Sequence, residues 1–175
     1  MTYVVLAGIV AAFLSKRNPM TILHIELKAR YVMIGILGVQ ILLAIIAAKT
    51  NQQYPIILNI TFLGILVCLF WNRHLSGIKW ILGGASLNFL ALLLHGGLMP
   101  VSAAAMKISG LDNAGFDADS RHYLMEDTAF WWLGDWIPFL TPVGTNYVWS
   151  PGDVLVAIGI FVFLVRNSQK RSYTS

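Results

Sequence analysis

YVMIGILGVQILLAIIAA, residues 31–48, contains no charged side chain over 18 positions. A helix that crosses the hydrocarbon core of a bilayer needs about 20 apolar residues, with a range of roughly 17–25. The stretch is long enough, and it has no Pro to interrupt a helix. It predicts a membrane-spanning helix, and the rest of the chain can be tested against that prediction.

Four further apolar stretches accompany it, and with it they give five predicted spans: 2–15, 31–48, 54–71, 80–99 and 150–166. Hydrophobic residues make up 57% of the 175 positions and charged residues 11%, against roughly 25% charged in a soluble domain. This composition argues against disorder, a nucleic-acid binder and an ordinary soluble enzyme. The single cysteine, Cys68, excludes an internal disulfide. The predicted fold class is all-α, a polytopic membrane helical bundle in one domain.

The basic residues between the stretches predict the orientation. Lys and Arg are enriched in cytoplasmic loops. Nine of the twelve fall in the loops at 15–30 and 72–79 and in the tail after 165, and three fall in the alternate regions (Lys49, Lys107 and Arg121). We therefore expect a multi-pass protein of the bacterial cytoplasmic membrane, with its N-terminus outside and its C-terminus inside.

Residues 100–149 form the one long connection, and the orientation places it outside the cell. Residues 121–149 of this loop are dense in Trp, Phe and Tyr, which concentrate where membrane meets water. We expect a re-entrant or interfacial loop. Within it, Ser102 should cap a short helix that stops at Gly110, and Asp127 should cap another that ends at Gly134.

The last span has a recognisable start. Ser150 suits the N-cap, Pro151 suits the first helical position, and Asp153 stands at the third position of a capping box. The end of the fourth span is also recognisable, because Gly96, Gly97 and Pro100 stop or bend a helix.

Polar residues inside the apolar stretches form the first group of candidate site residues. Such groups usually face the interior of a bundle and either bond neighbouring helices or line a ligand site. Asn88 and His95 are seven residues apart and share one helix face. Gln40 is a further polar residue of this kind. The candidate ligand-binding residues are Asn59, Asn88, His95, Gly96, Gly97 and Pro100.

The acidic outer loop supplies the second group. A His near carboxylates can transfer protons, and two carboxylates that share a proton can form a catalytic dyad. Asp135 and Asp153 are the candidates for such a dyad. The spacing matches no metal motif, so no metal and no cofactor are predicted. The candidate catalytic residues are His122, Asp127, Asp135 and Asp153.

Five segments together resemble a known family: SLNFLALL (86–93), HGGLMPVS (95–102), RHYLMEDT (121–128), WLGDWIP (132–138) and SPGDVLVAIG (150–159). The combination resembles small bacterial integral membrane proteins grouped as domain of unknown function 5317. The resemblance covers most of residues 80–165. It implies a bacterial origin and a multi-span fold, and it supplies no activity.

Two functional hypotheses remain open. The first is a non-catalytic binding or accessory subunit whose outer loop packs on the bundle, because no motif combines a nucleophile, a base and an oxyanion donor. Its partners would be membrane lipid, a second membrane protein subunit or a lipid-like ligand, and no nucleic acid. The alternative is a membrane-embedded enzyme that acts at the outer leaflet on a lipid-linked or lipoprotein substrate through His and Asp acid–base residues.

Overall fold

Helices occupy each of the five apolar stretches. The structure is a computed structural model that describes residues 1–50, 54–111, 122–125, 129–141 and 144–170. The long helices are α1 (Thr2–Leu14), α2 (Arg30–Thr50), α3 (Pro55–Trp71), α4 (Ile78–Leu94) and α6 (Pro151–Asn167), and the short helix α5 is Ala103–Ile108. The 3-10 helices are Pro19–His24 and Trp131–Leu133.

Six short strands lie outside the helices and pair in three two-stranded sheets within the described residues. The pairs are β1 (Arg17–Asn18) with β6 (Gln169–Lys170), antiparallel; β2 (Met99–Val101) with β3 (His122–Leu124), parallel; and β4 (Ile137–Phe139) with β5 (Tyr147–Trp149), antiparallel. The chain is mostly helical, as predicted, and the short strands lie chiefly in the loop after α4. There the backbone satisfies its donors and acceptors by strand pairing, since irregular backbone packed on a protein needs such partners.

The helices lie side by side in the order α1, α6, α4, α3, α2. The most extensive contact is between α4 and α6, where Gly84 and Gly152 let the backbones approach closely. A Cβ atom on Gly84 would overlap with the carbonyl oxygen of Gly152. Small residues at a crossing are what allow such an approach between apolar helices.

One helix of the described chain, over Arg30–Ala47, is long and apolar enough to cross a membrane by length and composition, and none of those residues is buried. Three shorter helices, α1, α3 and α4, are also apolar. The helix in the fourth stretch ends at Leu94, before the predicted boundary at residue 99. Gly96 and Gly97 have φ values of 66° and 91°, which a continuing right-handed helix does not allow.

Candidate functional site

The long loop that follows α4 is fixed to the end of that helix through its backbone. Asp135 N donates to Pro100 O at 2.8 Å, and Ser102 N donates to Asp135 O at 2.8 Å. Gly134 is required beside this ladder, because a Cβ atom there would overlap with Pro100 O. Buried Leu133 packs with Ala91, Leu92 and Met99 in the hydrophobic core. The loop segment around residues 133–135 is therefore part of the packed structure.

The carboxyl group of Asp135 is buried in this junction. Asp135 is 6% exposed. Its Oδ2 lies 3.5 Å from Nε2 of His122, whose side chain is 47% exposed. Among the described residues, no hydrogen-bond donor reaches Asp135 Oδ1. A buried carboxylate oxygen without a donor is costly to ionise.

Burial, and to a lesser extent the negative charge of Asp153, together raise the pKa of Asp135 from 3.8 to about 7. The His122 contact opposes this rise only when the imidazole is protonated. The structure thus brings together three of the predicted catalytic candidates, His122, Asp135 and Asp153. The fourth, Asp127, lies outside the described residues, as does Arg121.

The carboxylate of Asp153 is hydrogen-bonded within the fold, at the start of α6 and to α4. The predicted capping box is confirmed: Asp153 N donates to Ser150 Oγ at 3.0 Å, and Ser150 N donates to Asp153 Oδ2 at 3.3 Å. The other carboxylate oxygen accepts from Nδ2 of Asn88 at 2.9 Å. Both carboxylate oxygens therefore have hydrogen-bond donors within the fold, and these structural bonds account for the residue without a catalytic role.

Asn88 joins α4 to the start of α6. Besides its bond to Asp153, its Oδ1 accepts from Ser150 Oγ at 2.8 Å. The side chain packs directly against Gly152, where a Cβ atom would overlap with Asn88 Oδ1. Each of these contacts is between helices of the bundle. Asn88 is therefore a bridging residue, one of the two roles that the sequence left open.

His95 also holds backbone together. Its Nδ1 lies 2.7 Å from Ala91 O, and its Nε2 lies 3.0 Å from Ala129 O. These contacts tie the end of α4 to the loop before the Trp131–Leu133 turn. The sequence favoured no particular partner for His95, and Ala129, 34 residues away, was not foreseen.

The remaining candidates are backbone or packing positions, with one exception. Gly97 packs on Pro55, whose Cβ lies 2.7 Å from the position of an added Cβ. Pro100 is buried and supplies the carbonyl that binds Asp135 N.

The exception is Asn59 of α3, whose Oδ1 is buried and has no hydrogen-bond partner among the described residues. Gln40 donates to Thr61 Oγ1 at 3.3 Å, from α2 to α3.

The site that results is a titratable carboxyl group beneath a half-exposed imidazole, at the junction of loop and bundle. The two groups lie 3.5 Å apart, close enough for a proton to pass between them. Within the described ranges no group of three or more His, Cys, Asp or Glu side chains could hold a metal ion. Sequence reasoning missed the parallel pairing of β2 with β3 that brings His122 here, since no local signal marks a parallel pair of three residues.

The fold and site define a class: a mostly helical chain with at least one helix suited to a membrane, closed at one end by a loop that buries an acidic group. The sequence places it more narrowly. The chain belongs to the Family of unknown function (DUF5317), which matches residues 24–165. The resemblance read from the segments between 86 and 159 is therefore confirmed.

A relative from Thermotoga maritima, described as an uncharacterized protein, is 36% identical over 113 residues. The aligned part covers 63% of this chain and 63% of the relative, so the chain spans less than two thirds of that protein's length. No solved structure matches the chain.

Proposed function

We propose that the chain is a five-span protein of the bacterial cytoplasmic membrane, with the N-terminus outside and the C-terminus inside. The support is the exposure of apolar side chains on helices that have no polar face. Ile34, Ile41, Ile56 and Ile60 are each more than 60% exposed. A helix that is apolar all round is stable only when protein or lipid surrounds it. The 17-residue helices α3, α4 and α6 reach about 25 Å at 1.5 Å per residue, close to the bilayer core of about 30 Å.

Cysteine labelling tests this orientation. In a Cys68→Ala background, Thr145→Cys should react with a membrane-impermeant maleimide in intact cells, because Thr145 is exposed in the outer loop. Glu26→Cys, exposed between α1 and α2, should react only after the cells are permeabilised. The reverse pattern would show the opposite orientation, and equal labelling of both sites in intact cells would exclude the five-span topology.

We further propose that the protein is a non-catalytic binding or accessory subunit that holds a lipid-like ligand of the outer leaflet against its loop. The observation that carries this function is an aromatic rim, defined as Phe130, Trp131, Trp132 and Trp136. All four rings are exposed, although the backbone beneath them is fixed by buried Leu133 and Asp135. A loop that is packed on one side and apolar on the other presents a preformed surface for lipid.

Lipid retention tests the rim. The full chain, purified in a mild detergent, should keep lipid that native mass spectrometry detects, and Trp131→Ser with Trp132→Ser should lose the lipid copies that are bound at the rim. Trp80 at the other end of α4 is the matched control, since Trp80 is 50% exposed and Trp132 48%. Retention of the same number of lipid copies by the unmodified chain, the double variant and Trp80→Ser would contradict the proposal, as would a stable protein partner in place of lipid.

A second candidate function is supported by one observation, the contact between His122 and Asp135. A protonated buried carboxyl group can act as a general acid and a neighbouring imidazole as a base. This arrangement favours a membrane-embedded enzyme that acts at the outer leaflet on a lipid-linked or lipoprotein substrate. The enzyme stands second to the binding role, because the other polar candidates are already bonded within the fold and are not available for catalysis. These candidates are Asn88, His95 and Asp153.

A further inference from the structure

A polar cavity lies at the opposite end of the bundle from the loop that follows α4. Its volume is about 400 Å³, and Lys28, Trp71, Arg73, His74 and Lys79 line it. Three separate parts of the chain meet here: the turn before α2, the end of α3 and the start of α4. Under the proposed topology this is the cytoplasmic surface of the membrane.

Asn72 joins two of the chain segments that form the cavity, the turn before α2 and the end of α3. It is 1% exposed, and its Oδ1 accepts from Lys28 N at 2.8 Å while its Nδ2 donates to Lys28 O at 3.0 Å. The same Nδ2 donates to Cys68 O at 2.8 Å. The loop that carries Lys28 is thus bonded to the end of α3, so the two segments that carry Lys28 and Arg73 lie side by side.

The turn between α3 and α4 is fixed from its other side. Gly77 has a φ of 88°, and a Cβ atom there would lie 2.6 Å from Phe163 N of α6. Glycine is needed for both the conformation and the approach. The cavity wall formed by Arg73, His74 and Lys79 is therefore packed against the bundle.

The residues that line the cavity include three cations and no carboxylate. Among the described residues, no carboxylate forms an ion pair with Lys28, Arg73 or Lys79. Lys79 lies in the first turn of α4, which has no acidic residue there and no side-chain cap. A cation at the positive end of a helix is unfavourable unless an anion is present. Arg73 is held in place within the fold, because its guanidinium donates to Phe70 O at 3.0 Å and lies 4.0 Å from the centre of the Phe70 ring.

We propose that this cavity binds the phosphate group of an anionic lipid of the inner leaflet. Lys28, Arg73 and Lys79 supply the positive charge, and the His74 imidazole supplies a further polar contact. Trp71, half-exposed at the cavity edge, offers a ring to the glycerol and acyl part of the molecule. That ring and the position at the end of the apolar helices favour a lipid over free phosphate, which has no apolar part.

The test uses the full chain, delipidated in a mild detergent and titrated with phosphatidylglycerol, phosphatidylcholine or inorganic phosphate, with bound copies counted by native mass spectrometry. The triple variant Lys28→Gln, Arg73→Gln, Lys79→Gln should bind phosphatidylglycerol about 100-fold more weakly, at roughly fivefold per cation near a membrane surface. The control triple variant Lys16→Gln, Arg30→Gln, Arg166→Gln removes the same charge from the same end of the bundle, outside the cavity.

A double variant, Lys28→Gln with Lys79→Gln, guards against misfolding, because neither lysine side chain makes a hydrogen bond with the described residues. It should weaken binding about 25-fold. Saturable phosphatidylglycerol binding that the cavity variants weaken and the control does not supports the lipid. Equally tight binding of inorganic phosphate supports the phosphate site but assigns it to the free anion. Equal loss in both triple variants, or no binding in the unmodified chain, overturns the proposal. The rim variants at Trp131 and Trp132 should leave this binding unchanged, so the two proposals fail separately.

Discussion

The free energy of unfolding is expected to fall by up to ~4 kcal/mol as the pH rises from about 4 to about 8, and Asp135→Asn should abolish most of that fall. The pKa of Asp135 is raised from 3.8 to about 7 by burial and by the charge of Asp153. The folded state therefore holds a proton that the unfolded state has already released. The stability linked to this proton is complete below pH 4 and is lost as the pH rises through 7.

Equilibrium unfolding in mixed detergent micelles at several pH values measures this effect. Glu26→Gln is the control, since Glu26 is an exposed carboxyl group remote from the outer loop. It should keep the slope of the unmodified chain, whereas Asp135→Asn should show a flatter profile and exceed the unmodified chain in stability at pH 8. Parallel pH profiles for the unmodified chain and Asp135→Asn would mean that the carboxyl group is not buried as described.

The same variant separates the two candidate functions. If the protein is an enzyme, Asp135→Asn and His122→Gln should abolish conversion of lipid-linked substrates in proteoliposomes while the fold is retained. If it is a binding subunit, Asp135→Asn should still retain lipid at the aromatic rim. A higher stability of Asp135→Asn at pH 8 would favour a functional role for the carboxyl group of Asp135, because functional groups are often kept at a cost in stability.

Gly84→Ala is expected to lower the free energy of unfolding by about 3 kcal/mol or more. The added Cβ would overlap with Gly152 O and lie 2.8 Å from Val156 N. Both atoms belong to the backbone of α6, so the methyl group cannot be accommodated by a change of side-chain rotamer. The two helices would have to separate, and the Asn88 bonds to Ser150 and Asp153 would lengthen with them.

Gly83→Ala is the matched control on the same helix. No heavy atom lies within 4 Å of an added Cβ at this position. Replacing a helical Gly by Ala there should leave stability unchanged or raise it by about 0.5–1 kcal/mol. Unfolding midpoints in one detergent, compared between the two variants, provide the measurement. Equal destabilisation by both variants would argue against the close crossing of α4 and α6.

Local features of the fold were predictable from the sequence because their causes are local. The caps at Ser102 and Ser150 follow from residues three positions apart, and both are confirmed. The helical stretches follow from hydropathy. The end of α4 was placed too late, since hydropathy continues through Leu98 and Met99 while the backbone turns at Gly96 and Gly97.

The candidate site was predictable only as a set of residue types. Asp135 is buried because Pro100 and Val101, more than 30 residues earlier, form a ladder with it. Asp153 is occupied because Asn88 lies across the helix crossing. Nothing near either aspartate distinguishes a buried proton-binding carboxyl group from a helix cap. The sequence shows the basic residues of the cavity only as an orientation signal, since Lys28 and Lys79 are 51 positions apart and meet only in the folded chain.

The position of α6 between α1 and α4 has a consequence for how the chain is made. Helix α1 contacts α6 far more than any helix near it in sequence. At about 5–20 residues per second, α6 leaves the ribosome on the order of 10 s after α1. During that interval α1 and the Asn88 face of α4 are without their main neighbour, and the nascent chain must be kept from wrong associations until synthesis reaches residue 167.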